Sequence, residues 1–248
     1  MALNFNFQGS NSLLGDLNMV ETYRRLGVGH MLLAYNHQTM AGEGCHEQNG
    51  SGLSQFGERL VREMNRVGMI VDASHTGYRT TMDLFEVSSS PVIFSHSNAN
   101  ALVDHERNIR DDQIKACAKT GGVIGINGLS LFLSESGIDF SSETIANHID
   151  YMAQLVGAQH VGFGLDYVGG NSHQPTTEEI ERNMAFFKAN TQNYPESGRY
   201  AKAPLYFAQP GVISEVTEAL VRKGYGDADI RGILGENFMR VCSEVWKV

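Results

Sequence analysis

The chain has 248 residues, of which 42% are hydrophobic and 19% are charged, and its formal net charge is -9. This composition is typical of a globular protein with a buried core, and the acidic balance argues against nucleic acid and anionic membrane surfaces as partners. No apolar run approaches the roughly 20 residues of a membrane span.

The sequence signals for location favour the cytoplasm. The first ten residues, MALNFNFQGS, lack the basic and apolar regions of a signal peptide. The three cysteines, Cys45, Cys117 and Cys242, are scattered and odd in number, which is typical of reduced thiols. Repeats and Pro/Gly-rich linkers are absent from the sequence, so we predict one domain over residues 1–248.

The first quarter of the sequence predicts two strands and two helices. The strands are expected at residues 3–8 and 30–35, and the helices at residues 17–26 and 53–67, where apolar residues recur at helical spacing. A loop at residues 36–52 is longer than most connections in α/β proteins, which favours a functional loop.

A strand–helix–strand pattern follows. Two apolar runs, at residues 69–71 and 92–94, each lead to a Ser-His pair, with room for about three turns of helix between them. Because parallel strands end at the same edge of a sheet, His75 and His96 are expected at neighbouring strand ends. Ligands bind at this edge in barrels and open sheets. Two imidazoles there can bind one metal ion, whereas a single one is more often a hydrogen-bonded cap.

The rest of the sequence continues this alternation. The next helix is predicted to start at Asp111 and Asp112, because acidic residues interact favourably with the positive end of the helix dipole. Glycines in the following strand allow close approach of the backbone. The remaining predictions are a strand at 121–128, a helix at 141–156, a strand at 160–167, a polar excursion at 168–210 and helices at 212–223 and 227–246. Strands that alternate with helices predict a parallel sheet with helices outside.

Polar residues stand at the ends of the six predicted strands: Gln8, Tyr35, His75, His96, Asn127 and Asp166. Such a ring can supply metal ligands, a proton acceptor and hydrogen bonds around one pocket. A closed (β/α)8 barrel needs two more strands than the sequence shows, whereas an open sheet needs none.

Five motifs occur in order: GLSQFGERLVREMNRVGMIVDASH, PVIFSHSNANAL, HERNIRDDQI, GGVIGING and HVGFGLDY. Together with the ending ILGENFMRV, they resemble the membrane (renal) dipeptidase family, peptidase family M19 of the amidohydrolase superfamily. The resemblance implies a TIM-like (β/α) barrel with two zinc ions bridged by a glutamate. It also implies that His75 and His96 bind the second zinc, that Arg107 holds the substrate carboxylate, and that Asp166 handles protons at the scissile amide.

The sequence departs from the family pattern at the first zinc site. Gln8 occupies the place of the bridging glutamate, and a neutral amide is a poorer metal ligand than a carboxylate. Tyr35 stands where many members carry a histidine that contacts the substrate. The family's first two strands, with their His-x-Asp pair, have no counterpart. We therefore predict about six of the eight strands, incomplete at the N-terminus, and one Zn²⁺, held by His75, His96 and either Gln8 or Asp166.

These observations predict a metal-dependent hydrolase that cleaves dipeptides or related N-acyl amino acids by a zinc-bound hydroxide. Asp166 would transfer the proton, Arg107 would clamp the substrate carboxylate, and Tyr35 and Asn127 would contact the substrate. An ion pair or a strand cap is the alternative for Arg107 and Asp166. The alternative function is a truncated or impaired relative that binds a small amino-acid-like ligand without hydrolysis. Open strand edges would favour a homo-oligomer.

Overall fold

The computed structural model describes residues 3–47, 50–167, 176–201 and 205–246. The chain divides into two compact units. The first unit contains residues 1–95, 112–124 and 236–248, and the second contains residues 96–111 and 125–235. A single domain over residues 1–248 stays a prediction.

The first unit is built on a parallel sheet of four strands. In spatial order they are β1 (Phe5–Phe7), β2 (Val28–Leu32), β3 (Ile70–Asp72) and β4 (Val92–Ile93). Phe94, just after β4, forms a further parallel bridge with Ile124. The predicted strand–helix–strand unit is therefore confirmed, and the loop that carries His75 leaves the carboxyl end of this sheet.

The second unit contains the remaining strand pairing. Strands β5 (Ile124–Ile126), which begins in the first unit, and β6 (Val161–Phe163) form a two-stranded sheet. The backbone N–H of Gly164 extends this pairing by donating to the carbonyl of Ile126. Strand β6 is shorter than the predicted 160–167, so Asp166 lies in the loop beyond its end.

The predicted helices occur in the predicted order, and the structure adds helices at Ser130–Leu133 and Thr177–Ala189. The helices are α1 (Asn18–Arg25), α2 (Gln55–Val67), α3 (Tyr78–Val87), α4 (Asp111–Lys119), α5 (Ser130–Leu133), α6 (Ser142–Val156), α7 (Thr177–Ala189), α8 (Val212–Arg222), α9 (Asp227–Arg231) and α10 (Asn237–Val245). Local chemistry sets the helix ends: the Ser54 hydroxyl caps α2 by accepting from the N–H of Gly57, and Gly68 ends it with φ 75°. No helix of the described residues is long and apolar enough to cross a membrane.

Two further predicted segments differ from the structure. The single helix predicted at 227–246 is wrong, because Gly235 has a non-helical backbone (φ 161°, ψ -22°) and separates α9 from α10. The polar excursion predicted at 168–210 contains α7, which begins with a capping box between Thr176 and Glu179. Residues 168–175 and 202–204 of this excursion lie outside the described residues.

Each unit has an apolar core of its own. In the first unit α10 packs on the strands through a buried cluster of Ile70, Ile93, Val123, Val241 and Val245. In the second unit α6 packs against α8, and a second cluster contains Leu129, Leu131, Phe132 and Tyr200. Burial of these side chains supplies the main driving force for folding each unit.

The close backbone approach predicted for the glycine-rich strand is found at Gly122. A Cβ atom at this position would overlap the carbonyl oxygen of Val92 and lie 2.9 Å from the Cys117 sulfur. We expect Gly122→Ala to lower the free energy of unfolding by about 1–3 kcal/mol, because the overlap forces the backbone of β4 to move. Gly211→Ala is the control, since no heavy atom lies within 4 Å of its added Cβ. Equal urea midpoints for the two variants would contradict this close packing.

Candidate active site

His75 has an unusual backbone and a fixed side chain. It is buried in the loop after β3, in the left-handed region with φ 62°, a conformation that is uncommon for a residue other than glycine and clusters at functional sites. Its Nδ1 lies 2.6 Å from Oδ1 of Asn36. When this amide oxygen accepts, Nδ1 carries the proton and the lone pair is on Nε2. Metal-binding histidines are usually held in this way.

Hydrogen bonds and a ring contact connect the loop after β2 to His75. Asn36 is buried and left-handed, with φ 61°, and its carbonyl accepts from the N–H of His46 at 2.9 Å. The N–H of Cys45 donates to the His75 carbonyl at 2.8 Å. Tyr35 stacks on the imidazole of His75, with ring centroids 4.0 Å apart, and its side chain is 39% exposed. Gln8, just beyond β1, is exposed.

Arg107 is a buried cation in the second unit. It is only 3% exposed, its Nη2 donates to the His96 carbonyl at 3.1 Å, and its Cζ lies 5.2 Å from the centre of the Phe132 ring. Within the described residues no carboxylate forms an ion pair with Arg107, and its Nε has no hydrogen-bond partner. The ion pair considered from the sequence is thus not found there. A buried guanidinium without an anion is unfavourable, so this site is suited to an anionic ligand.

Two buried histidines hold the loop that carries Arg107. His105 Nδ1 accepts from the N–H of Arg107, and its Nε2 donates to the Gly198 carbonyl, both at 3.0 Å. His148 makes an equivalent pair of bonds: its Nδ1 accepts from the N–H of Ala99 at 3.2 Å, and its Nε2 donates to the Leu133 carbonyl at 3.1 Å. Burial lowers the pKa of His105 and of His148 to about 4, so both imidazoles are neutral at pH 7.

Asp166 is oriented by a neighbouring amide. Its Oδ2 accepts from Nδ2 of Asn127 at 3.2 Å, and its backbone is left-handed with φ 55°. Asn127 is fully buried and is fixed by two reciprocal hydrogen bonds with Asn98, of 3.0 and 3.1 Å. A partly exposed carboxylate held on one oxygen can exchange a proton on the other.

The structure therefore places the predicted site residues in small groups, each of which is described within its own unit. Tyr35 and His75 lie together in the first unit. Asn127 and Asp166 lie together in the second unit, where the Arg107 side chain also binds the His96 carbonyl. Among the described residues, no three His, Cys, Asp or Glu side chains form a group that could hold a metal ion. The tautomer that Asn36 imposes on His75 nevertheless fits a metal ligand, and the predicted ligand set stays a prediction.

Comparison with protein families gives a match over most of the chain. The model of the membrane dipeptidase family, peptidase family M19, matches residues 1–190. Dipeptidase 3 of Rattus norvegicus is 28% identical over 254 residues, covering 100% of this chain and 46% of that protein. Dipeptidase aclJ of Aspergillus oryzae is 32% identical over 241 residues, covering 96% and 50%. The chain thus spans about half the length of these relatives.

Solved structures give the same assignment of fold. An amidohydrolase from Pseudomonas aeruginosa is 32% identical, with a TM-score of 0.80 over 97% of this chain and 72% of that chain. A metallopeptidase from Rhodobacter sphaeroides, solved with a phosphinate mimic of the dipeptide L-Ala-D-Ala, is 24% identical, with a TM-score of 0.75 over 98% and 63%. These likenesses confirm the predicted fold class, the TIM-like (β/α) barrel of metal-dependent hydrolases.

Proposed function

Because this chain belongs to the membrane dipeptidase family, we propose that it is a metal-dependent hydrolase of dipeptides or related N-acyl amino acids. The names of its relatives support this proposal. The structural observation that carries it is the buried guanidinium of Arg107, for which no carboxylate partner occurs among the described residues.

Arg107 is proposed to bind the C-terminal carboxylate of the substrate. The guanidinium is planar and can donate two parallel hydrogen bonds to a carboxylate. Burial strengthens this interaction, because little water competes for the same donors. The Phe132 ring beneath the guanidinium and the His96 carbonyl limit its orientation. The proposal therefore requires substrates with a free carboxylate.

His75 and His96 are proposed to hold one divalent metal, expected to be zinc, with the Gln8 oxygen or Asp166 as a third ligand. When bound, such a metal polarises the amide carbonyl and activates water. Asn36 keeps His75 in the tautomer that a ligand requires. One metal rather than two is proposed, since a neutral glutamine takes the place of the bridging carboxylate.

Asp166 is proposed to move the proton. Its Oδ2 is held by Asn127, so its Oδ1 would take a proton from the attacking water and later deliver it to the leaving amine. Tyr35, stacked on His75, is proposed to contact the substrate beside the scissile bond. The substrate contact predicted for Asn127 is proposed in addition to its hydrogen bond with Asp166.

Hydrolysis assays test this function. We expect the zinc-loaded chain to release free amino acids from dipeptides, with kcat lowered about 100- to 10,000-fold in Asp166→Asn, because the amide cannot accept the proton. Asp166→Asn keeps the shape of the side chain, so its loss of activity would not be caused by a change in folding. Wild-type turnover no faster than that of His75→Ala would contradict the proposal.

The second candidate is a protein that binds a small amino-acid-like ligand without hydrolysis. The neutral Gln8 and the lack of a three-residue metal group among the described residues favour it. Calorimetry separates the two candidates: dipeptide binding that depends on Arg107, together with no turnover in the presence of zinc, would support the second.

Location and assembly complete the proposal. In the described part of the chain, Cys45, Cys117 and Cys242 are not joined in disulfides, which fits the reducing cytoplasm that we propose. Self-association is proposed from the expectation of open strand edges. Light scattering that shows a monodisperse monomer at high concentration would contradict it.

A further inference from the structure

Asp72 joins the two chain segments that lead to the predicted metal ligands. It is the last residue of β3 and is 0% exposed. Its Oδ1 accepts from the backbone N–H of Ser74 at 3.0 Å and from that of Ser95 at 3.1 Å. These serines directly precede His75 and His96 in the sequence. A single carboxylate oxygen therefore holds the residue before each histidine.

Further bonds hold these two segments in register. The Ser74 and Ser95 hydroxyl groups are 3.3 Å apart and share a hydrogen bond. The N–H of Ala73 donates to the carbonyl of Ile93 at 2.8 Å, which continues the pairing of β3 with β4. The two segments are thus fixed by the pairing of β3 with β4 and, beyond the strand ends, by the Asp72 carboxylate.

The second oxygen of Asp72 is weakly compensated. Asp72 Oδ2 is buried without a hydrogen-bond partner among the described residues, and the nearest basic nitrogen, His30 Nε2, is 3.8 Å away. Burial opposes ionisation of His30, whose pKa is lowered. A buried oxygen with weak compensation is unfavourable for stability, so the favourable contribution of Asp72 comes from the two hydrogen bonds that Oδ1 accepts from Ser74 and Ser95.

We propose that Asp72 is a positioning residue that sets the metal affinity by fixing the two Ser-His segments. This inference rests on the proposed metal site at His75 and His96. A metal accepts ligands only within a narrow range of distances and angles, so freedom in either segment must be removed when the metal binds. The Asp72 oxygen removes that freedom in advance by bonding to the backbone rather than to the rings.

Zinc affinity, measured by competition with a chromophoric chelator, tests this role. Replacement of an outer residue that orients ligands typically lowers metal affinity 10- to 100-fold, and we expect a loss of about this size in Asp72→Ala. Asp72→Asn should stay within about threefold of wild type, because its amide oxygen can accept both N–H groups and its NH₂ group takes the place of the unpaired Oδ2. The d–d absorption of bound Co²⁺ should change in Asp72→Ala and be restored in Asp72→Asn.

Asp83→Ala is the matched control. The Asp83 carboxylate also accepts a backbone N–H, that of Leu53 at 2.9 Å, but it is not bonded to either Ser-His segment. Its loss should affect stability while leaving zinc affinity and the Co²⁺ spectrum unchanged. If Asp72→Ala does not fold, Asp72→Ser replaces it, since its hydroxyl is too short to reach both amides.

The outcomes separate this inference from the proposed function. Zinc affinity in folded Asp72→Ala equal to wild type would overturn the role of Asp72 and leave the metal site intact. An Asp72→Asn variant as weak as Asp72→Ala would also overturn it, because charge rather than hydrogen bonding would then be responsible. A wild-type chain that binds zinc no better than His75→Ala would remove the metal site itself, and the inference with it.

Discussion

Replacing Arg107 by methionine is expected to lower kcat/KM for dipeptides about 100- to 1,000-fold without lowering the free energy of unfolding. The loss corresponds to about 3–4 kcal/mol, the usual effect of removing one member of a buried, hydrogen-bonded charge pair. Stability should not fall, because the folded chain without substrate gives this buried guanidinium no counter-ion among the described residues. Methionine is an unbranched apolar side chain, so it can replace the guanidinium carbon that now lies 5.2 Å from the centre of the Phe132 ring.

Amidated dipeptides provide the control for this prediction. The wild-type chain is expected to hydrolyse them about as slowly as Arg107→Met hydrolyses the free dipeptides, and the variant should distinguish little between the two substrates. This pattern shows that the two changes remove the same interaction. An Arg107→Met variant that keeps wild-type turnover, or that loses more than about 2 kcal/mol of stability, would contradict the proposed role.

The free energy of unfolding is expected to fall as the pH drops from about 6.5 to about 4. In the folded chain the pKa of His105 and of His148 is about 4, whereas the ordinary value is 6.5. Between these values the unfolded chain binds more protons, so stability is complete above pH 6.5 and is lost toward pH 4. The change amounts to up to about 3 kcal/mol for each histidine. His30, whose pKa burial also lowers, acts in the same direction.

Urea unfolding followed across this pH range measures the effect. Protonation places a hydrogen on Nδ1 of each imidazole, where the N–H of Arg107 or Ala99 now donates. His148→Gln does not titrate, so its stability should be lower at pH 7.5 but should depend less on pH than that of wild type. A wild-type profile that is flat between pH 7 and pH 4.5 would contradict this assignment.

The elements that follow from local patterns could be predicted from the sequence. The apolar runs before His75 and His96 predicted two parallel neighbouring strands, because run length and the helix between them leave few other topologies. The capped helix at Ser141 was equally clear. Helix α7 was missed although Thr176 and Glu179 carry the capping-box pattern, since the polar composition of this region favoured a loop.

The contacts that orient the site could not be predicted, because they join residues far apart in the sequence. Asn36 and His75 are separated by 39 positions and His148 and Ala99 by 49. No local period connects such pairs, and the choice of partner depends on the finished packing. The one local signal was a histidine within the apolar face of α6, which indicates a buried and hydrogen-bonded imidazole.

Zinc content is the measurement that tests the metal site most directly. Wild-type protein, His75→Ala and His96→Ala would be reconstituted with zinc, desalted and subjected to elemental analysis, with circular dichroism as the check of folding. The proposed site predicts about one zinc per wild-type chain and a loss of this zinc in both variants. Zinc in the folded wild type no higher than in either variant would contradict the proposed metal site.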